Sequence, residues 1–555
     1  MNVVAFSTSL WCMLLVAVCF GAANVARADA PDVKALIPSG VQRGQSVTVK
    51  VLGKSGTAPV QAWCDREQVT IAVNEKGDEL TVSAAPETPP GLCWIRLHNT
   101  EGASASRPFF VGLLPEVSEE EPNNSVAQAK TVDSSGVTVN GVLHKNGEVD
   151  VFAVTLEAGQ TLVASVESAR SLASPADCVL QVLSPQGFVL EQNDDDHGID
   201  PQIVFPAPVA GTHYVRLFAF PKDPNSTIGF AGGDDYVYRL TLTTGPFIDR
   251  LVPAAAADGS TSVLRGWNLP DEAPVAALAL LEERVTGNLP FPGTWQPERM
   301  PLASGSLIVE PDNVTDPLPM PAAVTGHISV DGEIDTYRLQ GTKGQSLRIA
   351  VAARGLDSPL DPVLKVIDAD GKVLKEEDDA GREEFDPSTT FEVPADGVYQ
   401  VQVADRFEHG GERYVYLLTI GPVQPDVALS VEKDAWVLKP GTPLEIPVTL
   451  TRTGTLPGQP EISIEGLPEG VTVTVGEMTE KAPEGERRGR RRRGRASEGE
   501  KTTLKLEAAE GTVFSGPVRI VGTVEGESPL VRSATAPTAA SGLRTRDLWL
   551  TVGPK

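Results

Sequence analysis

Histidine, cysteine and positive charge are all scarce in this chain of 555 residues, and each scarcity excludes a class of function. The six histidines, His98, His144, His197, His213, His327 and His409, lie scattered with no two at metal-ligand spacing. No His-Glu-x-x-His, Gly-x-Ser-x-Gly, Cys-x-x-Cys or Gly-x-Gly-x-x-Gly is present, so the common hydrolase, redox and dinucleotide-binding signatures are missing. Gly53-Lys54-Ser55 matches the end of a P-loop, but Thr48 stands where the first glycine belongs. Lys and Arg number 47 against 74 Asp and Glu, for a formal charge of −27. Most of such a surface repels a phosphate backbone, which argues against nucleic acid as a specific partner and makes cations the natural small ones.

Long hydrophobic runs are equally few. Residues 1–30 combine an apolar run over 13–20 with the small-residue ending Ala26-Arg27-Ala28-Asp29-Ala30, and read as a cleaved secretory signal although no Lys or Arg precedes the run. Cys19 follows Val18 where a lipoprotein site wants a small residue. No later segment approaches the roughly 20 apolar residues that span a bilayer. The chain is therefore expected to be exported, to the periplasm, cell surface or medium, with no membrane span. In an oxidising compartment Cys64 and Cys93 of the first domain either form a disulfide or stay as two buried thiols, while Cys178 has no mate.

Helical periodicity is absent after the leader. Short Val-, Thr- and Leu-rich runs recur between 52 Gly and 45 Pro, the pattern of an all-β chain of antiparallel β-sandwiches. The length implies several domains. Two long stretches repeat one plan. Glu119-Glu120-Glu121-Pro122-Asn123-Asn124 leads to Gly147-Glu148-Val149-Asp150 and a strand; Glu310-Pro311-Asp312-Asn313 leads to Gly332-Glu333-Ile334-Asp335 and another. Later landmarks follow in the same order: Asp177 to Val182 against Asp361 to Val366, the acidic runs Asn193 to Asp196 and Glu376 to Asp379, and Tyr236-Val237-Tyr238 against Tyr414-Val415-Tyr416. On these motifs residues 116–245 and 309–422 resemble the bacterial pre-peptidase C-terminal (PPC) domain, a jelly-roll-like β-sandwich that commonly trails secreted peptidases.

The flanking segments share a second plan. Pro31 to Pro38 with Gly44, and Pro246 to Pro253 with Gly259, open alike, and both resemble the TIG-type immunoglobulin-like domain over 31–114 and, partially, 246–308. In the second of these, residues 273–283 are expected to form a short helix with Pro274 in its first turn. Residues 424–555 resemble one more immunoglobulin-like domain, interrupted by a charged loop at 477–501 that holds seven arginines within 487–495. That loop is expected to be disordered.

Calcium takes six to eight oxygen ligands in irregular geometry, and the acidic openings supply such donors. The PPC resemblance implies ligation by Glu119, Glu121, Asn123, Asn124 and Asp150; Glu148 is added from its place in the adjacent turn. In the second copy Glu310, Asp312, Asn313 and Asp335 match the pattern, and with Ile308 aligned to the first carboxylate that site is expected to be weaker or empty. The competing reading makes all these acids a solvated linker face. Asp194, Asp195 and Asp196 read as a loop, and Tyr236 and Tyr238, like Tyr414 and Tyr416, as core residues on the face of the following leucines. The arginine run reads as self-neutralising or nonspecific. These observations favour an exported, non-catalytic binding, adhesion or scaffold protein with structural calcium, its partner an extracellular protein or polysaccharide. The alternatives are an accessory or targeting subunit of a secreted peptidase, implied by the resemblance, and a hydrolase using carboxylates such as Asp194, Asp195 and Asp196.

Overall fold

The computed structural model describes residues 29–553 apart from 224–228, 258, 273–274, 282–283, 288, 295–299, 304, 311–315, 381–384, 480–498, 527–528 and 541. Residues 1–28 of the expected leader, the arginine run, Asp312 and Asn313 lie outside the described residues.

Every extended element is a strand, and the strands form face-packed sheets. The first PPC-like unit has two five-stranded sheets. One runs Glu116–Ser118, Val137–Val142, Val237–Thr243, Thr161–Glu167, Gln202–Pro206 in spatial order; the other runs Lys130–Thr131, Asp150–Leu156, Gly211–Pro221, Ala176–Leu183, Val189–Asn193. The second unit repeats this order with Ser306–Val309, Ala322–His327, Val415–Pro422, Ser346–Ala352, Ser388–Glu392 and with Ile334–Gly341, Gly397–Asp405, Pro362–Ile367, Val373–Glu377. Alternation explains each core: Val215, Leu217 and Ala219 point inward in one copy, Tyr399, Val401 and Val403 in the other, as the period of two requires.

Among the described residues the first and last units are also two-sheet sandwiches, the last with a separate two-stranded ribbon of Ala536–Pro537 and Arg544–Thr545. Among its described residues the middle unit is a four-stranded sheet, and its expected helix is instead the strand Val275–Leu281, paired to Thr261–Trp267 and Arg284–Gly287. Burial of Ala276 and Leu278, two residues apart, matches a strand rather than a helical face. Ser306–Val309 pairs in parallel with Ala322–His327, so residues 306–308 belong to the second PPC-like unit and not to the middle one.

The ends of the chain meet. Arg96 of the first unit donates to Asp434 of the last at 2.6 Å and lies over the Trp549 ring, which also packs edge-on to Trp63. Trp94 and Phe110 cluster with Val142 and Val237 of the first PPC-like unit and with Ala540. Cys64 and Cys93 are free thiols among the described residues. Contact with Cys64, then burial, pushes the Cys93 thiol well above its usual pKa.

Candidate metal centre

Parallel pairing of Glu116–Ser118 with Val137–Val142 carries the chain past Glu119 across one end of the sandwich. There the Glu119 carboxylate accepts from the Val142 backbone N–H at 2.8 Å and from the Tyr238 hydroxyl at 2.8 Å. The same hydroxyl lies 2.6 Å from Asp150 Oδ2, so one phenol bridges an acid of each sheet. Gly141 makes the approach possible, since a Cβ there would lie 2.2 Å from the Tyr238 hydroxyl and 2.6 Å from Glu119 Oε2. Tyr238 is otherwise the core residue its spacing implied, packed with Leu240 and Leu242.

The remaining predicted donors are held by bonds within the opening segment and the turn before Asp150. Glu121 accepts from the Asn123 backbone N–H at 3.0 Å and from Asn124 Nδ2 at 2.9 Å. Glu148 accepts from the Lys145 backbone N–H at 2.9 Å. Burial, then contact with Glu121, pushes the Glu148 carboxyl up. Burial, then the Glu119 charge, pushes Asp150 up to about 9. Asn123 is fully buried, its carbonyl accepting from the Val151 N–H at 2.9 Å, yet its Oδ1 and Nδ2 have no partner, and neither has Asp150 Oδ1. A cavity of about 400 Å³ reaches Glu119, Glu121 and His144.

Orphaned buried polar atoms cost about 1–3 kcal/mol each, and crowded carboxylates disfavour one another's charge. A hard cation answers both deficits, and these donors, carboxylates and an amide oxygen, are the kind calcium takes. Among the described residues no three His, Cys, Asp or Glu side chains already stand as a metal-holding group. The acids approach in pairs, Glu119 with Asp150 and Glu121 with Glu148.

The second copy differs in register and in chemistry. Glu310 follows its strand as Glu119 does: its N–H donates to Thr325 O as that of Glu119 does to Asn140 O, and its carboxylate accepts from the His327 N–H at 3.0 Å. Glu310 is thus the counterpart of Glu119. The alignment that put Ile308 at the first carboxylate is two residues out, and Ile308 packs on the core. The misalignment followed the Glu-Pro dipeptide, whereas strand pairing sets the register. Asp335 is the partner of Tyr416, whose hydroxyl reaches Asp335 Oδ2 at 2.6 Å. Here a second phenol enters: Tyr337 lies 2.6 Å from both Glu310 Oε1 and the Tyr416 hydroxyl. Burial, opposed by the Tyr416 bond and reinforced by Glu310, raises Asp335 to about 7. Glu333, the counterpart of Glu148, accepts from Ser329 and Val330 instead. The tyrosine hydroxyls escaped the sequence reading because their spacing marks the rings as core; the repeated Gly one residue before Val142 and His327 was the available sign of a close approach.

Asp196, expected in a loop, forms an ion pair with Arg413 of the second copy. Asp194 and Asp195 crowd Asp177, which burial and then these two charges push up.

No curated protein matches the sequence. Among solved structures, the S-layer protein rSbsC(31-844) aligns over 91% of this chain and 54% of its own at 8% identity and a TM-score of 0.13. The M60 catalytic domain with two CBM51 domains of Clostridium perfringens ZmpB aligns over 72% of this chain and 55% of its own, at 11% and 0.15. The chain thus spans about half the length of either, and the superpositions are too poor to relate the folds. Residues 148–219 and 333–405 each match the family model described as the bacterial pre-peptidase C-terminal domain, and the chain carries two copies of that domain.

Proposed function

We propose that the protein is an exported, non-catalytic scaffold that binds or adheres through its β-sandwich units, and that calcium stiffens the first PPC domain. The observation that carries the calcium reading is the pair of buried, unpartnered oxygens, Asn123 Oδ1 and Asp150 Oδ1, beside the paired acids Glu119 with Asp150 and Glu121 with Glu148. Bound calcium supplies positive charge and coordination sites, with no redox or acid–base role. Glu119 and Asp150 hold it from the two sheets, while Glu121 and Asn123 bring in the opening segment. That segment joins the first unit to the PPC domain, so fixing it fixes the angle between them. Arg239 supports the same joint: it pairs with Glu116 at 2.5 Å and lies 4.5 Å over the Phe110 ring of the first unit.

The test is thermal unfolding of the full chain in calcium and in chelator. Extracellular sites of this kind bind at ~0.1–1 mM, so 10 mM calcium should add about 1–3 kcal/mol by mass action. Asp150→Asn should abolish that increment while raising stability in chelator, because it removes one of the mutually repelling acids. Identical melting in calcium and chelator would refute the calcium reading.

A further inference from the structure

The two PPC domains share their strand order apart from Lys130–Thr131, which has no paired counterpart among the described residues of the second, and one core position separates their acidic ends. Phe152 pairs with Val215, two residues on from the pairing of Asp150 with Leu217; Tyr337 pairs with Val401, two on from that of Asp335 with Val403. Both rings are core residues, 1% and 0% exposed. The added atom is the Tyr337 hydroxyl. In the first domain one hydroxyl, that of Tyr238, serves two carboxylates, and Asp150 Oδ1 is left bare. In the second, Glu310, Tyr337, Tyr416 and Asp335 form a continuous chain of three contacts at 2.6 Å each. None of those four side chains has a buried atom without a partner.

We infer that the Tyr337 hydroxyl does in the second domain what a cation does in the first, so that residue 337 and its counterpart 152 decide which copy depends on calcium. The inference rests on the calcium reading of the first domain and adds to it that the second domain is complete without metal. An oxygen wedged between Glu310 and the Tyr416 hydroxyl separates the acid of one sheet from that of the other and donates to the first. Glu333 is drawn away into its own turn by three bonds from Ser329 and Val330, whereas Glu148 stays against Glu121. The second pocket therefore holds no buried carboxylate oxygen without a partner among its described residues. Phenylalanine at 152 leaves Glu119 and Asp150 joined by one hydroxyl where Glu310 and Asp335 are joined by two, and a calcium ion takes the place of the second.

The experiment is calcium titration of the full chain by calorimetry, with stoichiometry read directly, in wild type, Phe152→Tyr and Asp335→Asn. One calcium per chain is expected in wild type. Asp335→Asn should leave stoichiometry and affinity unchanged, and Phe152→Tyr should weaken binding by at least about tenfold, the scale on which donor sets tune such sites. Two equivalents in wild type falling to one in Asp335→Asn, or Phe152→Tyr binding as tightly as wild type, would overturn the assignment. Absence of any binding in wild type would instead refute the calcium reading beneath it. Should Phe152→Tyr fail to fold, the Asp335→Asn stoichiometry decides alone.

Discussion

The two PPC domains spend their acidic runs differently. In the second, the acids after the hairpin find partners within the domain: Glu376 with Lys365, Glu377 with Lys375 and Asp378 with Arg406. In the first, the corresponding run reaches out. Asp196 and His197 meet Arg413 of the second domain, which also approaches Asp249 of the middle unit; Arg250 pairs with both Asp249 and Glu412. Nearby, Arg170 of the first domain lies 3.3 Å from Asp357 of the second. One repeated fold thus keeps its acidic run paired within the domain in one copy and turns it to Arg413 of the neighbouring copy in the other.

Breaking the grip is the largest effect this comparison predicts. Arg413→Ala leaves Asp196 and the 2% exposed Asp249 side chain short of positive charge, and removal of one partner from such a buried cluster costs about 3–5 kcal/mol. Arg406→Ala is the matched control. It loses only a half-exposed pair with Asp378, worth about 0–1 kcal/mol. Denaturant unfolding of the two variants should separate them clearly; equal losses would mean that the junction is no more than surface charge.

A smaller effect should divide the acidic ends. Tyr416→Phe cuts the hydroxyl chain at its centre and strands Asp335 from Tyr337, a loss of about 1–3 kcal/mol for buried groups left unmade. The loss should be the same in calcium and chelator. Tyr238→Phe removes the bridge between Glu119 and Asp150, and its cost should shrink in calcium, which compensates the same two acids. Matching calcium dependence in both variants would erase the distinction between the domains.

Much of this was legible in the residues themselves. The order of landmarks from Glu119 to Tyr238 was enough to find both domains, because a sheet's period of two writes its inward face directly into sequence. The two acid pairs, Glu119 with Asp150 and Glu121 with Glu148, fall within the set that the PPC resemblance implied with Glu148 added from its turn. What could not be read was which hydroxyl meets which acid. Tyr337 and Phe152 are alike as core residues, and only the closure of two sheets brings the extra oxygen between Glu310 and Tyr416. The junction was hidden for a related reason: Asp196 and Arg413 are 217 residues apart, and nothing local to either marks the other. Residues 273–283 misled because Ala and Leu favour helices, whereas pairing with two neighbouring strands decided the outcome.

The effect most local to one turn concerns a carboxylate that both domains share. Asp200 accepts from the N–H groups of Ser168, Ala169 and Arg170 at 2.8, 2.9 and 3.1 Å; Asp386 does the same for Ala353 and Arg354 at 3.0 and 3.1 Å. Asp200 is fully buried and Asp386 only partly. Burial, then the Glu167 charge, pushes Asp200 up to about 7 despite its three N–H bonds and Arg170. An unfolded Asp titrates near ~3.9, so the folded state binds the proton more tightly, and the resulting stabilisation is complete below about pH 4 and is lost as pH rises through about 7. Asp200→Asn cannot titrate and should flatten the fall in stability between those values, while Asp386→Asn should change the pH profile less. Denaturant midpoints measured from pH 4.5 to 8 provide the check: a profile for Asp200→Asn parallel to wild type would show that burial at this turn does not hold the proton, and that the two caps are equivalent after all.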